Sequence, residues 1–128
     1  MLSKFHVGRV VLSLVREHLE KHLRSPHWPA ARRAYLKEFG ACAACGSKTL
    51  LQVHHKVPFC DRPELELDPN NFITLCMGKF ECHLHLGHGG DYRYYNPQVV
   101  RDCRVISLYP DRRRDIEITA RAYRRNRP

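Results

Sequence analysis

The sequence predicts a small α+β domain stapled by metal, and three observations carry that prediction. Two short β-type runs, Leu50–His55 and Phe72–Leu75, lie between segments of helical periodicity. Cysteines form a C-x2-C pair, Cys42 and Cys45, and a wider second pair, Cys76 and Cys82. The chain of 128 residues is one domain with a modest core, a size at which a staple is commonly needed.

Residues 5–24 read as an amphipathic helix, with Val11, Leu12, Val15, Leu19 and Leu23 three and four residues apart. Ser25-Pro26 ends it, because a residue before proline is pushed out of helical geometry. A second helix is predicted from Trp28-Pro29 through Ala30–Phe39, with Gly40 as its stop. Residues 41–49 are small and turn-prone, and Cys60–Asn71, with its prolines and acids, reads as a loop. A helix is predicted to begin at Cys82 and to end at Gly89-Gly90. Asp91–Pro97 is aromatic-rich and turn-like, Gln98–Ile106 forms a last helix, and the tail from Asp111 is partly helical with a frayed end. The division is therefore a helical extension (1–40), a core (41–97) and a C-terminal helix with an Arg-rich tail (98–128), all in one domain.

Charge is unevenly spread. Of the net +9, residues 1–40 contribute +5 and residues 111–128 contribute +4, while residues 41–110 are neutral. A neutral centre between basic arms suits a polyanionic partner such as nucleic acid. No run approaches the ~20 apolar residues of a membrane span, and the start lacks a small-residue cleavage site, so the expected location is the cytoplasm. Thiols stay reduced there, which favours metal ligation over disulfides for the six cysteines.

Cys42-Ala-Ala-Cys45-Gly46 lets two thiolates grip one tetrahedral ion, with glycine permitting the tight turn beneath. Cys76 and Cys82 lie where a pair of strands folds back, and four thiolates would close a structural zinc site. The second pair is separated by five residues, Met77–Glu81, so Cys82 has rivals in His85 and His88. Cys60 and Cys103 have no motif partner and read as buried or incidental thiols. Adjacent His54 and His55 on a strand point to opposite faces, one free to face a metal and the other a water.

The order Cys42/Cys45, Val53-His54-His55-Lys56-Val57-Pro58, Asn71-Phe72-Ile73-Thr74-Leu75-Cys76, Cys82-His83 resembles the HNH endonucleases over about residues 40–97. The segment Gly87-His88-Gly89-Gly90-Asp91-Tyr92 through Tyr95-Asn96-Pro97 is similar to small phage and bacterial members. The resemblance implies a ββα-metal, treble-clef-like core flanked by the N-terminal helices and the basic C-terminal tail. It implies His55 as general base, Asn71 as the residue orienting it by a hydrogen bond, and His54 and His83 as ligands of a catalytic divalent ion (Mg²⁺, Mn²⁺, Ni²⁺ or Zn²⁺). His88 is the alternative to His83, because Met77–Glu81 lengthens the interval before it. The implied activity is hydrolysis of phosphodiester bonds in nucleic acid, double-stranded DNA by default, in the cytoplasm of a bacterium or a phage-infected host. No recognition helix is evident, so the expectation is weak sequence specificity or specificity borrowed from a protein partner.

The residue chemistry agrees. An imidazole with pKa near ~6.5 is a competent base at neutral pH, and a divalent ion stabilises charge on phosphate and leaving oxygen. A non-catalytic zinc-stabilised nucleic-acid-binding or phage packaging accessory module is the alternative, but it has no use for His55 and Asn71. Tyr92, Tyr94 and Tyr95 read as core and turn residues rather than base-stacking groups, and Asp61, Glu64, Glu66 and Asp68 as a solvated loop.

Overall fold

An antiparallel pair of strands is the platform on which the candidate site residues of the sequence stand. In the computed structural model, which describes residues 4–127, β1 (Leu51–His55) pairs with β2 (Phe72–Cys76) in the register Leu51↔Cys76, Val53↔Thr74, His55↔Phe72. Main-chain bonds Lys56 N to Asn71 O and Met77 N to Leu50 O extend the ladder by one step at each end. β2 is buried along its whole length, so both of its faces are covered.

Two helices precede the pair. α1 (Lys4–His22) is separated by the Ser25-Pro26 break from α2 (Trp28–Glu38), which carries proline in its first turn. α2 lies on the sheet: Tyr35 Oη donates to Phe72 O, and the chain just beyond it accepts from Thr74 Oγ1 at Phe39 O. The stripe predicted on α1 does not become core. Leu12, Val15, Leu19 and Leu23 stay 45–70% exposed and flank an open cavity of about 710 Å³, whose far side is Phe59 and Pro63. Burying an apolar helix face needs an opposing surface, and here Phe59 and Pro63 stand across an open cavity from it.

After β2 the expected helix from Cys82 is one π-helical turn, His83–Gly87. Gly89 and Gly90 stop it with φ of +59° and +88°, a backbone suited to glycine. The turn-like reading of 91–97 also needs correction, since Tyr94–Tyr95 form β3. α3 (Val99–Leu108) follows, then a 3₁₀ turn at Pro110–Arg112 and α4 (Arg113–Tyr123). As far as Arg127 the tail is held rather than frayed: β4 (Arg125–Asn126) pairs with β3, and Arg127 N donates to Arg93 O, while residue 128 lies outside the described residues.

The main core lies between β2, the π-helical turn and α3, and contains Ile73, Leu75, Leu86, Val99 and Ile106 with Cys42, Cys76, Cys82 and Cys103. Buried Asn96 ties the turn to α3: its amide donates to Leu86 O and to Asp102 Oδ2, and its carbonyl accepts from Gln98 N. Four cysteines in a core this small link its packing to the state of the thiols. No helix among the described residues is long and apolar enough to cross a membrane.

Candidate metal centre and active site

Cys42, Cys45, Cys76 and Cys82 converge, with all four Sγ atoms within 4.8 Å of one another. Gly46, at φ +76°, turns the first knuckle so that its N donates to Cys42 O, and Ala43 N donates to Thr74 O, hanging the knuckle on β2. The five residues between Cys76 and Cys82 loop outward through a turn closed by Glu81 N to Gly78 O, with Glu81 at φ +45°. That excursion lets a wide pair act like a narrow one. His85 and His88 lie outside this group of four. Cys103 is buried in the adjoining core and Cys60 is exposed, and neither joins the four.

The set fits a tetrahedral ion. Zn–S bonds of ~2.3 Å place sulfurs about 3.8 Å apart, and Cys45 and Cys76 Sγ stand at 3.6 Å. Cys42 is drawn down to about 4, first by the hydrogen bond from the Cys82 thiol, while the same bond pushes Cys82 up. One proton shared between crowded sulfurs is the arrangement a cation displaces. Arg113 Nη2, 3.1 Å from Cys82 Sγ, adds a positive charge beside the thiolates.

Strand alternation separates the two histidines of β1. On one face His54 meets His83 and His88, with ring centroids 5.2 and 4.9 Å away and 4.8 Å between the latter two. One nitrogen from each lies within 4.8 Å of the others. The structure thus brings both His83 and His88 to His54, where sequence reasoning had weighed one against the other. His88 Nδ1 donates to Tyr94 O at 2.7 Å, leaving Nε2 to face His83 Nε2 at 3.2 Å. His54 Nε2 is buried without a hydrogen-bond partner. An orphaned buried nitrogen beside two inward-facing imidazoles is what a metal ion would satisfy. Burial, then mutual repulsion, holds His54 well below its ordinary pKa and His83 down to about 4, so both are neutral and ligand-competent at pH 7.

Gly87 backs this cluster. A Cβ there would stand 3.0 Å from His54 Cε1 and Nδ1 and 3.2 Å from Leu75 Cδ1. Gly87→Ala is therefore expected to tilt the His54 ring and weaken divalent-ion binding at the histidines by roughly tenfold or more. Calorimetric titration of the zinc-loaded protein with Mn²⁺ or Ni²⁺ checks it, and wild-type affinity would show that the ring is free to adapt.

On the other face His55 packs against Trp28 at 4.6 Å and Phe72 at 5.2 Å. Its Nε2 donates to Glu66 O at 2.9 Å, so Nδ1 is the nitrogen left to accept a proton. Burial lowers its pKa. Asn71 does not make the bond expected of it. Its carbonyl accepts from Val57 N and its amide donates to Val57 O and Leu65 O, at 2.9, 3.0 and 3.4 Å. It staples the 57–71 loop shut, and the loop in turn delivers the Glu66 carbonyl. The path from Asn71 to His55 runs through the loop and not through a direct bond.

Residues 42–89 match the family model of the HNH endonucleases. No curated protein and no solved structure matches the chain. The HNH segment contains all four cysteines, the three clustered histidines, His55 and Asn71. The pocket holding those histidines, about 270 Å³, is also lined from outside it, by Arg24, Trp28 and Arg32 before the segment and Tyr92, Tyr95 and Arg127 after it. Glu66, read as a solvated loop acid, is buried and accepts from Ser25 N and Arg24. Tyr92 edges His83 and His88 at 5.9 and 4.9 Å rather than filling core. A carboxylate followed by a solvent-spaced leucine and aspartate carries no periodic signal of burial, so Glu66 was invisible in the sequence.

Proposed function

We propose that this protein is a metal-dependent endonuclease that hydrolyses phosphodiester bonds of double-stranded DNA, with residues 41–97 as a ββα-metal core inside a single domain. The observation that carries the reading is one pocket in which His55 stands beside the cluster His54, His83 and His88 with its Nδ1 uncommitted. On this reading β1, β2 and the one-turn helix at 83–87 supply the ββα elements, and the four cysteines hold a structural zinc.

His55 Nδ1 takes the proton of the attacking water, while the Glu66 carbonyl fixes the ring plane and the tautomer. Trp28 shields the ring from bulk water on one side. His54, His83 and His88 hold the divalent ion, which when bound stabilises charge on the phosphate and leaving oxygen. Asn71 keeps the loop closed over His55. Basic side chains of the flanks that line the pocket, Arg24 and Arg32 among them, contact phosphates without reading sequence.

Nicking of supercoiled plasmid by the purified protein with Mg²⁺, Mn²⁺, Ni²⁺ or excess EDTA tests the reading. The expected result is nicking with at least one of the ions and none with EDTA. A folded, zinc-loaded protein that binds DNA but cuts with no ion would overturn it in favour of a binding or packaging accessory module.

A further inference from the structure

Three guanidinium groups from outside the HNH segment meet at the histidine pocket: Arg24 after α1, Arg32 on α2, and Arg127 just beyond β4. Among the described residues no carboxylate lines that pocket. Two of the arginines already have polar partners. Arg24 lies 3.4 Å from Glu66, and Arg32 donates to Leu51 O and the Gln52 side chain. Arg127 differs. Its side chain reaches only the carbonyl of Tyr92, at 3.3 Å, and among the described residues it faces no acid. It nevertheless lines the same pocket as His54, His55, His83 and His88.

The backbone around Arg127 is built to hold it there. β4 pairs with β3 in the register Tyr94↔Asn126 and Tyr95↔Arg125, and Arg127 N donates to Arg93 O at 3.0 Å. Arg124, one step before the strand, stacks 4.3 Å over Tyr94 and donates to Gly89 O. An exposed guanidinium with no counter-ion among the described residues, pinned at the mouth of a pocket those residues line without an acid, is a docking point for an anion.

We propose that Arg127 grips a phosphate of the polynucleotide beside the scissile one, with Arg24 and Arg32 completing the clamp, so that the C-terminal strand is part of the active site. This rests on the nuclease reading above and adds to it a substrate contact supplied from the chain's far end. A planar fork held by main-chain bonds orients a phosphate bidentately and loses little freedom in doing so. The neighbouring Arg125 is equally exposed but does not line the pocket, and it serves as the control.

The test uses the full chain as wild type, Arg127→Ala, Arg127→Lys and Arg125→Ala. Plasmid nicking gives kcat/KM, and fluorescence anisotropy with a duplex oligonucleotide over a salt series, without added divalent ion, gives the salt slope. Arg127→Ala is expected to lower kcat/KM by about tenfold or more and the salt slope by about 0.9. Lysine should restore the slope but only part of the rate, and Arg125→Ala should nick within about twofold of wild type. The melting temperature of Arg127→Ala should match wild type, because the main-chain bond that pins the strand survives. A wild-type rate and slope for Arg127→Ala would overturn the proposal, as would an equal loss in Arg125→Ala, which would mean undirected tail charge. If the wild type itself cuts nothing, the nuclease reading fails, and the difference in salt slope between the two alanine variants still decides whether Arg127 grips phosphate.

Discussion

His55→Ala is expected to lower the nicking rate by about 10²–10⁴-fold, the range a positioned general base contributes, while duplex affinity stays close to wild type. The argument rests on where the ring stands. Its Nε2 is spent on the Glu66 carbonyl and the ring is held between Trp28 and an edge-on contact with Phe72, so it cannot swing to bind the divalent ion as a substitute for its neighbours. The cluster of His54, His83 and His88 sits on the opposite face of β1 and keeps all its nitrogens when residue 55 is truncated. Metal binding should therefore survive, which separates loss of the base from loss of the ion. Truncation also empties space beside Trp28, so a modest fall in melting temperature accompanies the kinetic loss. Single-turnover nicking at saturating metal, read beside ion titration of the same variant, checks the claim. A variant that cuts at the wild-type rate would remove His55 as the base and shift that duty to a residue outside this face.

Much of the candidate site was legible because its parts obey short-range rules. Cys42 and Cys45 are a knuckle by spacing and glycine alone, and a strand necessarily sends His54 and His55 to opposite faces. The pairing of Leu51–His55 with Phe72–Cys76 followed from two β-type runs with a turn-rich loop between them. What stayed hidden depends on contacts between distant segments. Glu66 orients His55 through its backbone carbonyl, a group every residue type carries, so no side-chain pattern could announce it. Asn71 was expected to hold the His55 ring, but its amide is satisfied by Val57, since the loop it closes lies nearer than that ring. Arg127 and Tyr92 enter the pocket only because β4 finds β3, a pairing of two residues a side that no propensity argument detects. The helix after β2 shrank to one turn because Gly89 and Gly90 follow so soon. On α1 the periodic stripe is real but unburied, since periodicity states which face is apolar and not what covers it.

Cys82→Ser should remove zinc and most of the protein's stability together. Cys76 and Cys82 are fully buried in the same core as Leu75, Leu86, Val99 and Ile106, so the four thiols cannot separate without opening that core. A structural zinc contributes about 10–16 kcal/mol of apparent binding energy in small domains, against a total stability of about 5–15 kcal/mol for an ordinary domain. Losing one of four ligands is thus large on the scale of the whole fold, and a drop in melting temperature of roughly 10 °C or more is expected. Cys82 is also the sulfur held by Arg113, the first residue of α4. Its loss should loosen the helix that leads to β4, and with it the placement of Arg127 at the pocket. Cys103→Ser separates the metal from mere packing. Cys103 is buried in the same core and its thiol is kept protonated by desolvation, so serine there should cost some stability and leave zinc content unchanged. Elemental analysis beside thermal melting of the two variants decides between them. Wild-type zinc content in Cys82→Ser would break the four-cysteine site, whereas zinc loss confined to that variant ties the ion, the core and the C-terminal strand into one cooperative unit.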